Sequence, residues 1–285
     1  MGLGVQELYI QQALSVQIGI KKSLRSGILL DEGMPVVLFF PDNTKKLVVL
    51  KRGKYTESKY GRIKHDDIIG KNLLGKFVKT NSGARILVQK PTIDEIIYSL
   101  FKRKSQVIYP KDAYAIISEA GLKRGDKVGE AGVGSGFLAA HILSIIGNEG
   151  EYYGYDLRDD MIETAINNLS LLGYDVSGKI RKKDVKEGID ESDLNAFFLD
   201  LPDPWNAVNA IYPSLAPDAR IVIFVPTLNQ VIKFLASIDD SSKFKINRIF
   251  ETFSREYAVS KDALRPSPIQ SSFTGYIISL VKISE

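Results

Sequence analysis

The most constraining feature of this chain is a run of small residues, Gly132-Val133-Gly134-Ser135-Gly136. It lies between the strand-like segment DKVGEA and a helical stretch that begins at Phe137. Glycines at this spacing let the backbone approach a ligand closely, and the free amides of the following helix favour an anionic group. The spacing is G-x-G-x-G rather than the G-x-G-x-x-G of a dinucleotide site, and no P-loop lysine follows. By itself the run is equally compatible with a tight turn.

Its surroundings decide the fold class. From Asp112 onward, candidate strands DKVGEA, EYYGYD, GKIRKKD, NAFFLD and ARIVIFVP alternate with helical stretches FLAAHILSIIG, DDMIETAINNLSLLG, WNAVNAIYPSL and TLNQVIKFLASI. Such alternation needs crossover helices on the faces of a mostly parallel sheet, an α/β architecture. FKINRIFETF and TGYIISLVKI are expected to finish the sheet as an antiparallel pair. Residues 1–90 read differently. GILL, PVVLFF, KLVVLKRG, KFVKT and ARILVQKP are short strands separated by turns, with HDDIIGK as one helical turn, which suggests a small β-barrel-like domain. A helical linker over 91–111, its helix spanning 91–104, joins this domain to a second one at 112–285.

Composition narrows the function. The chain has 285 residues and no cysteine, so neither a disulfide framework nor a thiolate zinc site is available. Only His65 and His141 remain as imidazole ligands, and no metal is expected. No apolar run approaches the roughly 18–20 residues that span a bilayer, and no secretory pattern marks the N-terminus, so a cytoplasmic location is expected. The net charge of +4 is unevenly spread. Residues 1–104 carry 19 Lys and Arg against 9 Asp and Glu, a surplus of ten cations; residues 105–285 carry 19 against 25. A basic segment joined to an acidic one suits contact with a polyanion such as nucleic acid, or else is a solvated lysine-rich surface.

Acidic residues follow the glycine run at strand ends. Asp156 closes EYYGYD, about 20 residues on, where a carboxylate can accept both hydroxyls of a ribose. Asp184 closes the third strand and is placed to accept from an adenine amino group. Glycine run, acid and acid in this order indicate a nucleoside-containing cofactor. NAFFLD then ends in Asp200-Leu201-Pro202-Asp203-Pro204-Trp205, and ligands of open α/β sheets bind beyond the carboxyl ends of the strands. Asp200 is therefore expected to face the same crevice.

The order of these features resembles the S-adenosylmethionine pocket of a Rossmann-like class I methyltransferase with a mostly parallel seven-stranded sheet. More specifically, Gln106-Val107-Ile108-Tyr109-Pro110-Lys111-Asp112-Ala113, then EAGVGSG, then DLPDPWNAV, resemble the tRNA (adenine-N1)-methyltransferase family, which acts on the T-loop adenine at position 58 and, in archaeal members, also on the neighbouring position 57. The likeness covers about residues 60–285 and includes FVPTLNQV and Arg265-Pro266. It departs at Gly129, where a bulky apolar residue is usual, at Asp156, where Glu is common, and in PSPIQSSFTG, which lacks a histidine. Residues 1–30 match nothing in the family pattern.

The resemblance implies roles for individual residues. Gln106, Val107, Ile108, Gly132, Gly134, Ser135, Gly136, Phe137, Asp156, Asp184 and Val185 would hold S-adenosylmethionine. Asp200 would be catalytic, accepting a hydrogen bond from the adenine N6 amino group, with Asp203 the weaker candidate. Tyr109 and Trp205 would wall in a flipped base, and Lys111 and Arg265 would meet phosphate; core packing and plain solvation are the competing readings. The basic residues 1–104 would guide tRNA, the partner, and a homotetramer is implied. Two alternatives remain: a non-catalytic tRNA-binding subunit, and a protein carboxyl methyltransferase of isoaspartyl type.

Overall fold

The computed structural model describes residues 29–238, 243–258, 264–267 and 273–284. The chain divides into two compact units. One comprises the described residues through Phe101 together with 168–175; the other comprises 102–167 and those from 176 onward.

In the first unit, β1 (Pro35–Phe39), β2 (Lys45–Val49), β5 (Lys76–Lys79) and β6 (Arg85–Gln89) form an antiparallel sheet in the order β2-β1-β6-β5, and β3 (Tyr55–Ser58) pairs with β4 (Gly61–Lys64). Val36, Leu38, Leu50, Ile63, Ile86 and Val88 make its core. The expected strand at GILL is absent at Leu29 and Leu30, and its first two residues lie outside the described residues. The hairpin β3–β4, by contrast, was not expected. Its residues TESKYGRIK are mostly polar and carry little period-2 signal. HDDIIGK does contain a turn of 3-10 helix at His65–Asp67. His65 is a satisfied core residue: Nδ1 accepts from the Lys51 amide at 2.9 Å, and Nε2 meets Thr56 Oγ1 at 3.0 Å.

The expected linker helix is shorter than 91–104. Helix α1 runs Ile93–Leu100, started by a capping box in which Thr92 and Glu95 satisfy each other's amides. A separate helix, α2 (Pro110–Ala120), follows. Pro110 sits in its first turn, where the missing N–H costs nothing, and Gly121 ends it at φ 66°.

The second unit is built on a seven-stranded sheet in the order β12-β15-β11-β10-β7-β8-β9. Its strands are β7 (Lys127–Ala131), β8 (Glu151–Asp156), β9 (Ile180–Lys182), β10 (Leu194–Leu199), β11 (Leu215–Val225), β12 (Phe244–Phe250) and β15 (Tyr276–Lys282). Helices α3 (Phe137–Ile146), α4 (Asp159–Leu171) and α5 (Leu228–Ser237) are its crossovers, and a two-stranded ribbon, β13 (Tyr257–Ala258) with β14 (Arg265–Pro266), follows β12. Only β15 runs against its neighbours. The helix expected at WNAVNAIYPSL is replaced by two 3-10 turns, Pro204–Asn206 and Tyr212–Ser214. Pro213 lacks the amide and its ring clashes with a helical carbonyl, so no α-helix passes through it.

One departure from the family pattern acquires a cause in this core. A Cβ at Gly129 would lie 2.3 Å from the ring of Phe197 on the adjacent strand. The Phe197 ring, stacked on Tyr155, fills the volume that a larger residue at 129 would need.

Candidate active site

Beyond the carboxyl ends of β7, β8, β9 and β10 lies a cavity of about 590 Å³. The glycine run forms one wall, and at Gly132 no side chain fits. Gly132 has φ +84°, and a Cβ on it would stand 2.1 Å from the Asp200 carbonyl oxygen. Its amide donates to Tyr155 O, while the Asp200 amide donates to Ala131 O, so the loop and the tip of β10 are pressed together. Gly134 donates its amide to Asp156 Oδ2 at 2.9 Å, and the Arg158 amide donates to Oδ1. That holds the Asp156 carboxylate against the wall with lone pairs to spare. Ser135, buried, accepts from the Lys104 amide.

Gln106, Val107, Ile108, Gly132, Gly134, Ser135, Phe137, Asp156, Asp184, Val185 and Asp200 all line this cavity. Asp184 caps the 3-10 turn after β9 by accepting from the Lys186 amide. Gly136 does not line the cavity. It begins α3 at φ +80°, where a Cβ would meet Ala165 of α4 at 3.3 Å, so it serves helix packing.

Of the residues expected around a substrate, Lys111, Tyr109, Trp205 and Arg265 do not line this cavity. Lys111 is turned into the protein: its Nζ donates to Asp112, to Thr252 and to Thr274. That ammonium is spent on a buried carboxylate and is not offered to phosphate. Trp205 is off the cavity wall, packed partly buried against the core with Lys233 over its ring, which fits the core-packing reading. Tyr109 is the N-cap residue of α2, also off the wall. Arg265 is exposed on β14. Asp203 pairs with Lys186 at 2.7 Å and accepts from Asn206, a structural role at the turn.

Asp200 is different from all of these. Burial, and then the charge of Asp156, raise its pKa to about 7. Among the described residues no group donates a hydrogen bond to its carboxyl. The loop that carries it is held from behind: Gln230 of α5 donates to Pro202 O at 2.9 Å, and Thr227 caps that helix.

Sequence reasoning missed Glu130. It is buried at the end of β7, lines the cavity, and accepts from the Tyr152 hydroxyl at 2.7 Å. Burial first, then the charges of Asp200 and Asp156, raise its pKa to about 8 despite that hydrogen bond. The available signal was a carboxylate between Gly129 and Ala131 inside a strand, two residues before Gly132.

The glycine wall, the acids at the strand tips and the DLPDP loop stand in the arrangement that the sequence motifs imply. A family model described as the tRNA methyltransferase complex GCD14 subunit matches residues 86–273. That is well over half of the chain, and it spans every cavity residue. The chain belongs to this methyltransferase family. It is 31% identical to the tRNA (adenine(57)-N(1)/adenine(58)-N(1))-methyltransferase TrmI of Methanocaldococcus jannaschii, over 71% of this chain and 80% of that one. Among solved structures, the tRNA (m1A58) methyltransferase TrmI of Aquifex aeolicus matches with a TM-score of 0.76 at 29% identity, covering 90% of this chain and all of the other. A structure titled SAM-dependent O-methyltransferase, from Thermotoga maritima, matches with a TM-score of 0.78 at 29% identity, covering 93% and 97%. The fold is thus the class I S-adenosylmethionine-dependent methyltransferase fold, and fold likeness alone does not choose the acceptor atom. Among the described residues no helix is long and apolar enough to cross a membrane, and no cluster of side chains forms a metal site.

Proposed function

We propose that this methyltransferase family member transfers a methyl group from S-adenosylmethionine to N1 of adenine 58 in the T loop of tRNA. The observation that carries the reading is the Asp200 carboxyl: an acceptor without a donor, at the tip of the central strand, on the wall of the glycine-lined cavity. A carboxylate so placed fits the amino group of an adenine.

The residues present fit the cofactor. The left-handed backbone at Gly132 and Gly134 lets the loop press against the tip of β10 and still line the cavity, and Asp156 and Asp184 on the same wall suit the hydroxyls of a ribose and the amino group of an adenine. When bound, S-adenosylmethionine supplies an electrophilic methyl on a sulfonium that leaves as a neutral thioether. Gln106, Val107 and Ile108 close one side of the cavity and exclude water from it. Asp200 binds the adenine N6 amino group, which points N1 inward, and its negative charge stabilises the positive charge that the base acquires. Preorganised electrostatics of this kind contribute about 3–4 kcal/mol per group. N1 lies on the Watson–Crick edge inside a folded loop, so the adenine is flipped out first, at a cost of a few kcal/mol.

The basic residues 1–104 would position tRNA through its phosphates and shape. The homotetramer belongs to the same reading, with sedimentation as its check. The test of function is incubation with unmodified tRNA and methyl-labelled cofactor, followed by nucleoside analysis. Label in 1-methyladenosine at position 58 is expected, and analysis of position 57 decides whether the neighbour is a second acceptor. Label in protein carboxyl esters, or cofactor binding without any transfer, overturns the reading in favour of its alternatives.

A further inference from the structure

One stretch of the first unit carries charge of a single sign. From Lys71 to Lys90 the chain holds five cations and neither Asp nor Glu. β5 and β6 fold this stretch into a hairpin at one edge of the four-stranded sheet, with Phe77 opposite Leu87 and Lys79 opposite Arg85. The pleat sorts the side chains. Val78, Ile86 and Val88 are buried, while Phe77, Lys79 and Arg85 are exposed together on the outer face. The Arg85 guanidinium lies over the Phe77 ring, 4.2 Å from its centroid, and half of Phe77 still meets solvent. Among the described residues no carboxylate pairs with Lys76, Lys79 or Arg85. At the opposite edge of the sheet, Lys45 of β2 is taken by Glu95 of α1. The neighbouring hairpin β3–β4 joins this one where the Asn81 amide donates to Arg62 O, and it carries a second pair, Arg62 over Tyr55 at 4.1 Å. There Glu57 neutralises the guanidinium at 3.1 Å. Cations that guard a sheet edge would account for Lys76 and Lys79. They do not account for a half-exposed phenylalanine on an edge strand, which is a liability unless a partner covers it.

We propose that the outer face of the β5–β6 hairpin is an RNA platform: an unpaired base of tRNA stacks on the Phe77–Arg85 pair, and Lys79 and Arg85 neutralise the phosphates beside it. A base offers a π-face whatever its identity, and aromatic rings and guanidinium planes hold unpaired nucleotides by stacking. A base inside a duplex has no free face, so the platform selects a loop or an end. Cations without a counter-charge favour a polyanion through the release of its condensed counterions. An acidic protein would meet the cations equally, but only a nucleic acid brings phosphate and planar base together. The inference rests on the tRNA reading above and deepens it, adding a stacking contact to guidance by phosphate and shape. The platform shares no residue with the cofactor cavity. It therefore sets how tightly tRNA is held and not how fast the methyl group moves.

The experiment is fluorescence anisotropy of the full chain with labelled unmodified tRNA and with a fully paired RNA duplex, between about 50 and 200 mM salt. Methyl transfer to tRNA is measured alongside. Phe77→Ala should weaken tRNA binding at least about fivefold, by the same factor at every salt concentration, because stacking releases no counterion. Its affinity for the duplex and its kcat at saturating tRNA should stay at the wild-type values, and Phe77→Trp should bind tRNA like the wild type. Lys79→Gln combined with Arg85→Gln should instead flatten the salt dependence for tRNA, lowering the slope by about 1–2. Unchanged binding of S-adenosylhomocysteine in each variant shows that the chain is folded. Wild-type tRNA affinity in Phe77→Ala, an equal loss on the duplex, or a loss that Phe77→Trp does not restore overturns the platform. If the wild type still methylates tRNA, the functional reading survives that result. A wild type that neither binds nor methylates tRNA overturns both.

Discussion

At the scale of single residues, the tip of β10 and the glycine wall carry the sharpest expectations. Asp200→Asn keeps shape and removes charge; turnover should fall about a hundredfold. The affinity for S-adenosylhomocysteine, which has no sulfonium to sense the lost charge, should stay within about threefold. An undiminished rate with tRNA would remove Asp200 from the mechanism. Gly132→Ala places a methyl 2.1 Å from a carbonyl oxygen at φ +84°, so the loop must shift. A loss of about 1–3 kcal/mol in denaturant unfolding is expected, together with loss of cofactor binding. Glu130 gives a pH prediction whose sign follows from its raised pKa of about 8. Between its ordinary value near 4.5 and about 8, the folded chain keeps a proton that the unfolded chain has released. Stability must therefore fall as pH rises through this window and level off above it. Melting temperatures of the ligand-free protein from pH 5 to 9 should show the decline, and Glu130→Gln should reduce it, leaving the share of Asp200, whose pKa is raised to about 7.

At the scale of elements, the buried Lys111–Asp112 pair matters more than either residue does alone. Asp112 has no exposed surface, and it accepts from Lys111, from Thr252 beyond β12 and from Thr274 before β15. The start of α2 thereby ties down both ends of the excursion that carries β13 and β14. Asp112→Ala leaves a buried ammonium without its partner and should cost about 3–5 kcal/mol in denaturant unfolding. Adding Lys111→Met to that variant should recover part of the loss; full additivity of the two changes would mean that the pair is not coupled. Elements also show what was legible in the sequence. EYYGYD, DKVGEA, NAFFLD and the two helices after the glycine run were readable because short apolar runs bounded by turn residues mark buried strands, and the longer runs between them mark helices. The hairpin β3–β4 was not, since its polar, mostly outward side chains leave no such period. WNAVNAIYPSL misled because its apolar spacing suits a helix while the backbone restriction at Pro213 acts one residue at a time. In the site, the glycine run and strand-end acids were legible, since loop glycines and terminal carboxylates are local signals. The turning of Lys111 inward was not, because its partners Thr252 and Thr274 lie more than a hundred residues away.

At the scale of the whole chain, the separation of charge sets the salt response. If the first 104 residues guide tRNA by phosphate contacts, the logarithm of the binding constant should fall linearly with the logarithm of salt concentration. Neutralising six phosphates would give a slope of about −5. Filter binding or fluorescence anisotropy between about 50 and 200 mM salt measures it, and a flat response would assign those cations to solvation alone. Replacing Asp200 should leave that slope untouched.

Finally, the ring of Phe197 standing where a side chain at 129 would otherwise go makes two neighbouring strands interdependent in their choice of residue. One large side chain serves the pair here, and it stands at 197. A hybrid protein that splices this chain's β10 onto a relative with a large residue at the first site inherits two tenants for one space. The reverse splice inherits none and leaves a hole. Exchange between such scaffolds therefore has to carry both strands together.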